Sequence, residues 1–121
     1  MNNTLLLILI LSTLLYGCAE ANTSKNSQYV TLRYDPMQCR NTPWSAWATN
    51  GNVTFTKPPS PSELMMTYYN DNYNVKIYSY KEIKRNEATC QACDICPKNY
   101  YIIVNVSDTD MQKMIGMGWK E

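Results

Sequence analysis

Histidine is absent from this chain, and that omission removes more chemistry than any motif present supplies. Ser-His-Asp and Cys-His nucleophiles, His-ligated zinc or copper, and imidazole proton shuttling all need a side chain that is not there. Also missing is an excess of charge of either sign. Eleven basic residues face ten acidic ones, a net of +1, so nothing favours nucleic acid or an anionic surface as partner. The nearest basic grouping, Lys81, Lys84 and Arg85, is broken by Glu82 and followed by Glu87, the pattern of a solvated strand end. No close pair of carboxylates suggests acid/base work; the acidic residues sit beside expected turns and helix starts. The expectation is a protein that is not an enzyme.

No apolar stretch reaches the length of about 20 residues that a membrane span needs. The run from Leu5 to Leu11, continued by Leu14 and Leu15, instead suits the hydrophobic region of an export signal. The start Met1-Asn2-Asn3-Thr4 carries no Lys or Arg, so a retained anchor or a buried helix is the competing reading. Leu15-Tyr16-Gly17-Cys18 resembles the lipobox of bacterial lipoproteins. The resemblance implies that residues 1–17 are removed as a signal peptide and that Cys18 is the lipidation site, anchoring the protein to a membrane of the cell envelope. Ala19-Glu20-Ala21 fits ordinary signal peptidase instead, and cleavage there would release a soluble secreted or periplasmic chain. Residues 18–28 are polar and rich in Asn, Ser and Thr, a flexible tether rather than part of a core. Residues 29–121 then form a single domain of roughly a hundred residues, with a modest core.

Hydrophobic periodicity outlines that domain. Val30, Leu32 and Tyr34 alternate with Thr31 and Arg33 in a half-buried strand that stops at Asp35-Pro36. From Met37 to Ser60 the chain reads as irregular. Asn41-Thr42-Pro43 and Lys57-Pro58-Pro59-Ser60 act as breakers, and Asn50-Gly51 before Val53-Thr54-Phe55 offers a short hairpin. Ser60-Pro61-Ser62-Glu63 is a capping box with proline at the first helical position. The helix it starts carries Leu64, Met65, Tyr68 and Tyr69 and is expected to end at Asn70-Asp71-Asn72. A second strand runs from Val75 to about Ile83. The third, Tyr100 to Val106, is almost wholly apolar and is expected at the centre of the sheet, covered on both faces. Ser107-Asp108-Thr109-Asp110 starts a last helix whose buried face is Met111, Met114 and Ile115; Gly116 and Gly118 end it, and Trp119 is free to return to the sheet. The expected fold is an α+β sandwich of order β-α-β-β-α. Two helices lie on one face of a three- to four-stranded mixed sheet, an abbreviated ferredoxin-like arrangement.

Beyond Cys18 there are four cysteines: Cys39, and Cys90, Cys93 and Cys96 in the connection between the second and third strands. The run Cys90 to Pro97 resembles part of a bacterial ferredoxin cluster motif, without its further C-x3-C spacing, and only Cys39 remains as a fourth ligand. Thiolates so spaced suit a metal ion or cluster in a reducing compartment, whereas an exported small domain uses an even count of cysteines for disulfides. One bridge must reach Cys39 and the other must join two of the clustered cysteines, and three pairings are open. A redox-active C-x-x-C pair is a further reading, and Asp94 inside the motif opposes the lowered thiol pKa it needs.

Met111, Met114 and Met117 recur at the spacing of a helix face, which suits Cu(I) or, more simply, a core. Asn22-Thr23-Ser24, Asn52-Val53-Thr54 and Asn105-Val106-Ser107 match the glycosylation sequon. Met37, Trp44 and Trp47, near the cysteines, are candidates for a binding surface formed by the loops from Pro36 to Trp47 and from Thr89 to Lys98. The leading expectation is thus an exported, lipid-anchored, disulfide-stabilised binding module for a protein or envelope ligand, with no cofactor. The alternative is an extracytoplasmic protein that holds metal or exchanges electrons through Cys39, Cys90, Cys93 and Cys96.

Overall fold

The computed structural model describes residues 28–88 and 90–121. Strand β1 (Tyr29–Tyr34) is followed by helices α1 (Pro43–Thr49) and α2 (Pro61–Tyr73), strands β2 (Ile77–Lys84) and β3 (Tyr100–Ser107), a 3-10 turn (Asp108–Asp110) and helix α3 (Met111–Gly116). The order is therefore β-α-α-β-β-α, with one helix more than the sequence pattern predicts.

The additional helix, α1, lies inside the stretch read as irregular. Its start obeys the rule that marks α2: the Thr42 hydroxyl accepts the Ser45 N–H (3.3 Å) and Pro43 occupies the first turn, where its missing N–H is no loss. Asn50-Gly51, read as a hairpin turn, instead closes α1. Asn50 N–H donates to Ala46 O and Gly51 N–H to Ala48 O, with Gly51 at φ 73°, a conformation glycine takes without strain. Val53 to Phe55 form no strand.

Helix α2 has the expected reciprocal cap. Glu63 N–H donates to Ser60 Oγ (3.2 Å) and Ser60 N–H donates to the Glu63 carboxylate (2.8 Å). It continues through Asn70-Asp71-Asn72 to Tyr73. Asn74, left-handed at φ 52°, ends it, its N–H donating to Asn70 O.

Strand β3 is central, and both neighbours are antiparallel to it, in the order β1-β3-β2. The sheet among the described residues is thus three-stranded and wholly antiparallel, not mixed. β1 and β2 run the same way on either side of β3, so the α1–α2 connection crosses over the central strand. The ferredoxin-like comparison is not established by this layout. The register places Val30, Leu32 and Tyr34 beside Val106, Val104 and Ile102, with Ile77 and Tyr80 on the far side of the same face. That face meets the helices. Leu32, Ile102, Val104, Val106 and Ile77 are buried with Trp44, Met65, Tyr69, Val75, Met114 and Trp119 in one core.

The opposite face bears Thr31, Arg33, Tyr101, Ile103 and Asn105, none of them buried. The expectation that β3 is covered on both faces fails here. An apolar, β-branched strand is required by its central position and one buried face, and the second face is closed only by its own side chains.

The methionine stripe belongs to the core. Met114 is fully buried and Met111 and Met117 pack at the margin. The start of the last helix is a 3-10 turn, and Ser107 Oγ bonds Thr109 and Asp108 side chains rather than capping the backbone. Gly118 at φ 96° reverses the chain. Trp119 then returns to the core, where its Nε1–H donates to Tyr69 Oη (2.8 Å), and Lys120 pairs with Arg33 along the outer edge of β1.

Candidate functional site

At the end of β1 the chain leaves the sheet through Asp35-Pro36 and runs antiparallel to the segment that enters β3, with an isolated bridge between Met37 and Pro97. Gln38 N–H donates to Cys96 O (2.9 Å), Lys98 N–H to Pro36 O (2.7 Å) and Asp94 N–H to Gln38 O (3.2 Å). The Gln38 side-chain amide donates to the carbonyls of Cys90 and Pro97. Two residues sit in the left-handed region, Cys39 at φ 63° and Asp94 at φ 65°. These are the points where each loop doubles back, a conformation that must be held by its surroundings.

What holds them is covalent. Cys39 is bonded to Cys93 and Cys90 to Cys96, so all four sulfurs pair with one another, in the arrangement expected of an oxidising compartment. Cys96 is buried, and its sulfur also accepts the Ala92 N–H. Arg40 Nε donates to Asp94 across the long link (2.5 Å). With few buried apolar side chains available at this corner, cross-links replace the packing that orders the rest of the domain.

A charged cluster adjoins the cross-linked loops. Asp35 accepts from Arg33 Nε and Nη2 (3.1 and 2.8 Å) and from Arg85 Nη2, with Lys120 Nζ 3.4 Å away. Burial on its own works to raise the Asp35 pKa, but the hydrogen bonds and charges of Arg33 and Arg85 outweigh it and hold the carboxyl below its usual range. Arg85 also donates to Lys98 O (3.1 Å). The Tyr101 ring lies against both guanidiniums, 4.1 Å from Arg33 and 5.4 Å from Arg85. The two arginines separate two shallow clefts. One, of about 280 Å³, is bounded by Asp35, Met37, Ile95, Pro97 and Lys120; the other, of about 380 Å³, by Ile83, Lys84, Glu87 and Tyr101.

The structure brings together Met37 and the four cysteines and separates them from the two tryptophans. Trp44, expected on a binding surface, is 5% exposed and packs against Tyr34, Tyr69 and Trp119 with ring centroids 5.2 to 6.4 Å apart. It is core, because α1 turns it inward. Trp47 is half-buried against Tyr68 (5.5 Å) in the helix layer. Cys18 lies outside the described residues, as do the export signal, the sequon at Asn22 and the tether up to residue 27; Gln28, its last residue, accepts the Asp108 N–H (2.9 Å). On the first loop, the part of the expected Pro36–Trp47 surface from Pro43 onward is thus helix α1, with Trp44 in the core.

Sequence reasoning missed Arg33, Asp35, Arg85 and Lys120, and included Ile95 only as one residue of the Thr89–Lys98 loop. Arg33 carried a signal as a cation on the uncovered face of an alternating strand, and Ile95 as an apolar residue inside a polar, cysteine-rich loop. The meeting of Arg85 and Lys120 at Asp35 depends on pairings that no local pattern contains.

A carboxylate held ionised by two guanidiniums is a weak base, and the four sulfurs are in disulfides. The arrangement suits contact rather than proton transfer. Among the described residues no group of three or more Cys, Asp or Glu side chains is placed to hold a metal ion, and no helix is long and apolar enough to cross a membrane. No family model, curated protein or solved structure matches the chain.

Proposed function

We propose that this protein is an exported, lipid-anchored binding module whose recognition surface is the cross-linked corner. The observation that carries the reading is Ile95. This large aliphatic side chain is 77% exposed, on a loop clamped at Cys90, Cys93 and Cys96 and hydrogen-bonded to its neighbour through Gln38. Met37 and Pro97 line the same cleft, so Ile95 belongs to an apolar patch held out on a cross-linked loop and is not a lone exposed side chain. Cross-linking also removes the ordering entropy that a mobile loop loses on binding, which is why rigid loops make good recognition elements. The two disulfides support an oxidising location. Cleavage before Cys18 and its acylation would place the domain at a membrane surface outside the cytoplasm.

Two measurements on the native protein test this. Intact mass of material from the membrane fraction is expected to show a chain beginning at Cys18, with acyl groups and the loss of four hydrogens. A full-length chain with four titratable thiols would overturn it. A photo-crosslinker at position 95 is expected to capture an envelope component that the same group at position 112, on exposed Gln112 of α3, does not. Equal capture at both positions would remove Ile95 from the recognition surface.

A further inference from the structure

We infer, resting on the reading just given, that the corner's partner is a protein segment in which a carboxylate lies next to an apolar side chain. The segment docks in the cleft between Arg33, Arg85, Lys120, Met37, Ile95 and Pro97.

Charge is the first reason. The chain as a whole is nearly neutral, yet three cations converge on the single carboxylate of Asp35; Glu87 lines the neighbouring cleft together with a further cation, Lys84, and is in ion-pair contact with none of the three, so the cations stay in excess. Donor capacity is the second. A guanidinium has five N–H donors. Arg33 directs two donor nitrogens at Asp35; Arg85 directs one at Asp35 and one at the Lys98 carbonyl. Each therefore keeps N–H groups for a second acceptor, and both guanidiniums lie against the Tyr101 ring, which restrains them. Arginine held in this way favours a planar carboxylate over a diffuse anionic surface. The third reason is the mixed wall: Met37, Ile95 and Pro97 line the same cleft as the cations, so a lone anion would leave its apolar lining unused.

The mixed lining favours a protein over a lipid headgroup. A headgroup phosphate brings charge but no apolar group beside it for Met37, Ile95 and Pro97 to meet, whereas a peptide brings a carboxylate and an apolar side chain on neighbouring residues.

The test titrates the oxidised mature chain into two fluorescein-labelled peptides that differ only in charge, one of alternating Glu and Leu and the other of alternating Gln and Leu, at low and high salt. The Glu peptide is expected to bind about tenfold tighter at low salt, and the preference is expected to shrink as salt rises. Ile95→Ser and Lys120→Glu are each expected to weaken its binding several-fold. Both side chains are largely exposed, so the urea midpoint should stay unchanged. Equal affinity for the two peptides, or no saturation at millimolar concentration, overturns the inference. Tighter binding to phosphatidylglycerol vesicles than to the Glu peptide, abolished by Lys120→Glu, overturns it in favour of a lipid. Those failures are separable from failure of the underlying reading, because crosslinking at position 95 reports a recognition surface whatever the charge of its partner.

Discussion

Removing the long disulfide should destabilise the domain more than removing the short one, and by a calculable margin. Cys39 and Cys93 are 54 residues apart in sequence, Cys90 and Cys96 only 6. In the chain-entropy treatment the first cross-link contributes about 4 kcal/mol and the second about 2 kcal/mol, because the unfolded chain loses more freedom when a larger loop is closed. Replacing both partners by alanine removes each link without introducing a buried hydroxyl. For the short link, losing the Cys96 sulfur also strands the Ala92 N–H that donates to it, adding up to about 1 kcal/mol. The expected order therefore survives with a narrower gap. Urea unfolding followed by tryptophan fluorescence is a suitable assay, since Trp44 and Trp119 are buried in the core. With a slope of about 2 kcal/mol per molar, typical of a small domain, loss of the long link should lower the midpoint by about 2 M. The slope itself should rise as the unfolded chain expands. A smaller loss for Cys39→Ala with Cys93→Ala than for Cys90→Ala with Cys96→Ala would refute the reasoning and place the stabilisation in local loop structure.

Three further outcomes follow from particular contacts. Ser60→Ala should cost about 1 kcal/mol by removing one half of the α2 capping box, and Thr42→Ala should cost a similar amount or less at α1, both read from the urea midpoint. Trp119→Phe should cost about 2–4 kcal/mol through lost volume and a lost buried hydrogen bond, while Tyr69→Phe, which strands the Trp119 N–H, should cost about 1–3 kcal/mol; a double-mutant cycle should show the two effects to be coupled. Asp35 has a folded pKa below its unfolded value, so its contribution is present above the unfolded carboxylate pKa and is lost as pH falls through the folded one. An acid titration of stability should lose that step in Asp35→Asn, and an unchanged acid limb would refute the role given to Arg33 and Arg85.

The three strands, the capping box at Ser60 and the return of Trp119 were legible because each is written in a few neighbouring residues. Alternation marks β1, a β-branched run marks β3, and Ser-Pro-Ser-Glu satisfies helix-end donors whatever surrounds it. Helix α1 carries the same kind of mark at Thr42-Pro43, but Asn50-Gly51 at its far end serves a hairpin and a helix terminus equally well. Seven residues supply too little periodicity to decide between them. The pairing of the cysteines was narrowed by reach to one bridge at Cys39. Which of the three clustered sulfurs meets it depends on the turn at Asp94, a non-local matter. Arg85 lies just past the end of β2, as a strand-end reading implies, but it is not solvated there: its side chain is 18% exposed because it reaches past β3 to Asp35, fifty residues earlier and just beyond β1.

One structural arrangement links the burial pattern to the proposed site. All the helices among the described residues lie on one face of the sheet, so Arg33 and Tyr101 on the other face meet solvent and one another. At the corner beyond that face the loops have no apolar layer to rest on, and only Cys96 is buried among the residues from Cys90 to Ile95 and itself. Burial therefore cannot order this part of the chain. The disulfides do so, and they do it without covering the surface they organise. A packed core would have hidden Ile95 and Arg33 in the course of holding them still. Cross-links leave them in place and accessible, which makes the geometry of the corner, unlike that of the helix layer, dependent on the redox state of its surroundings.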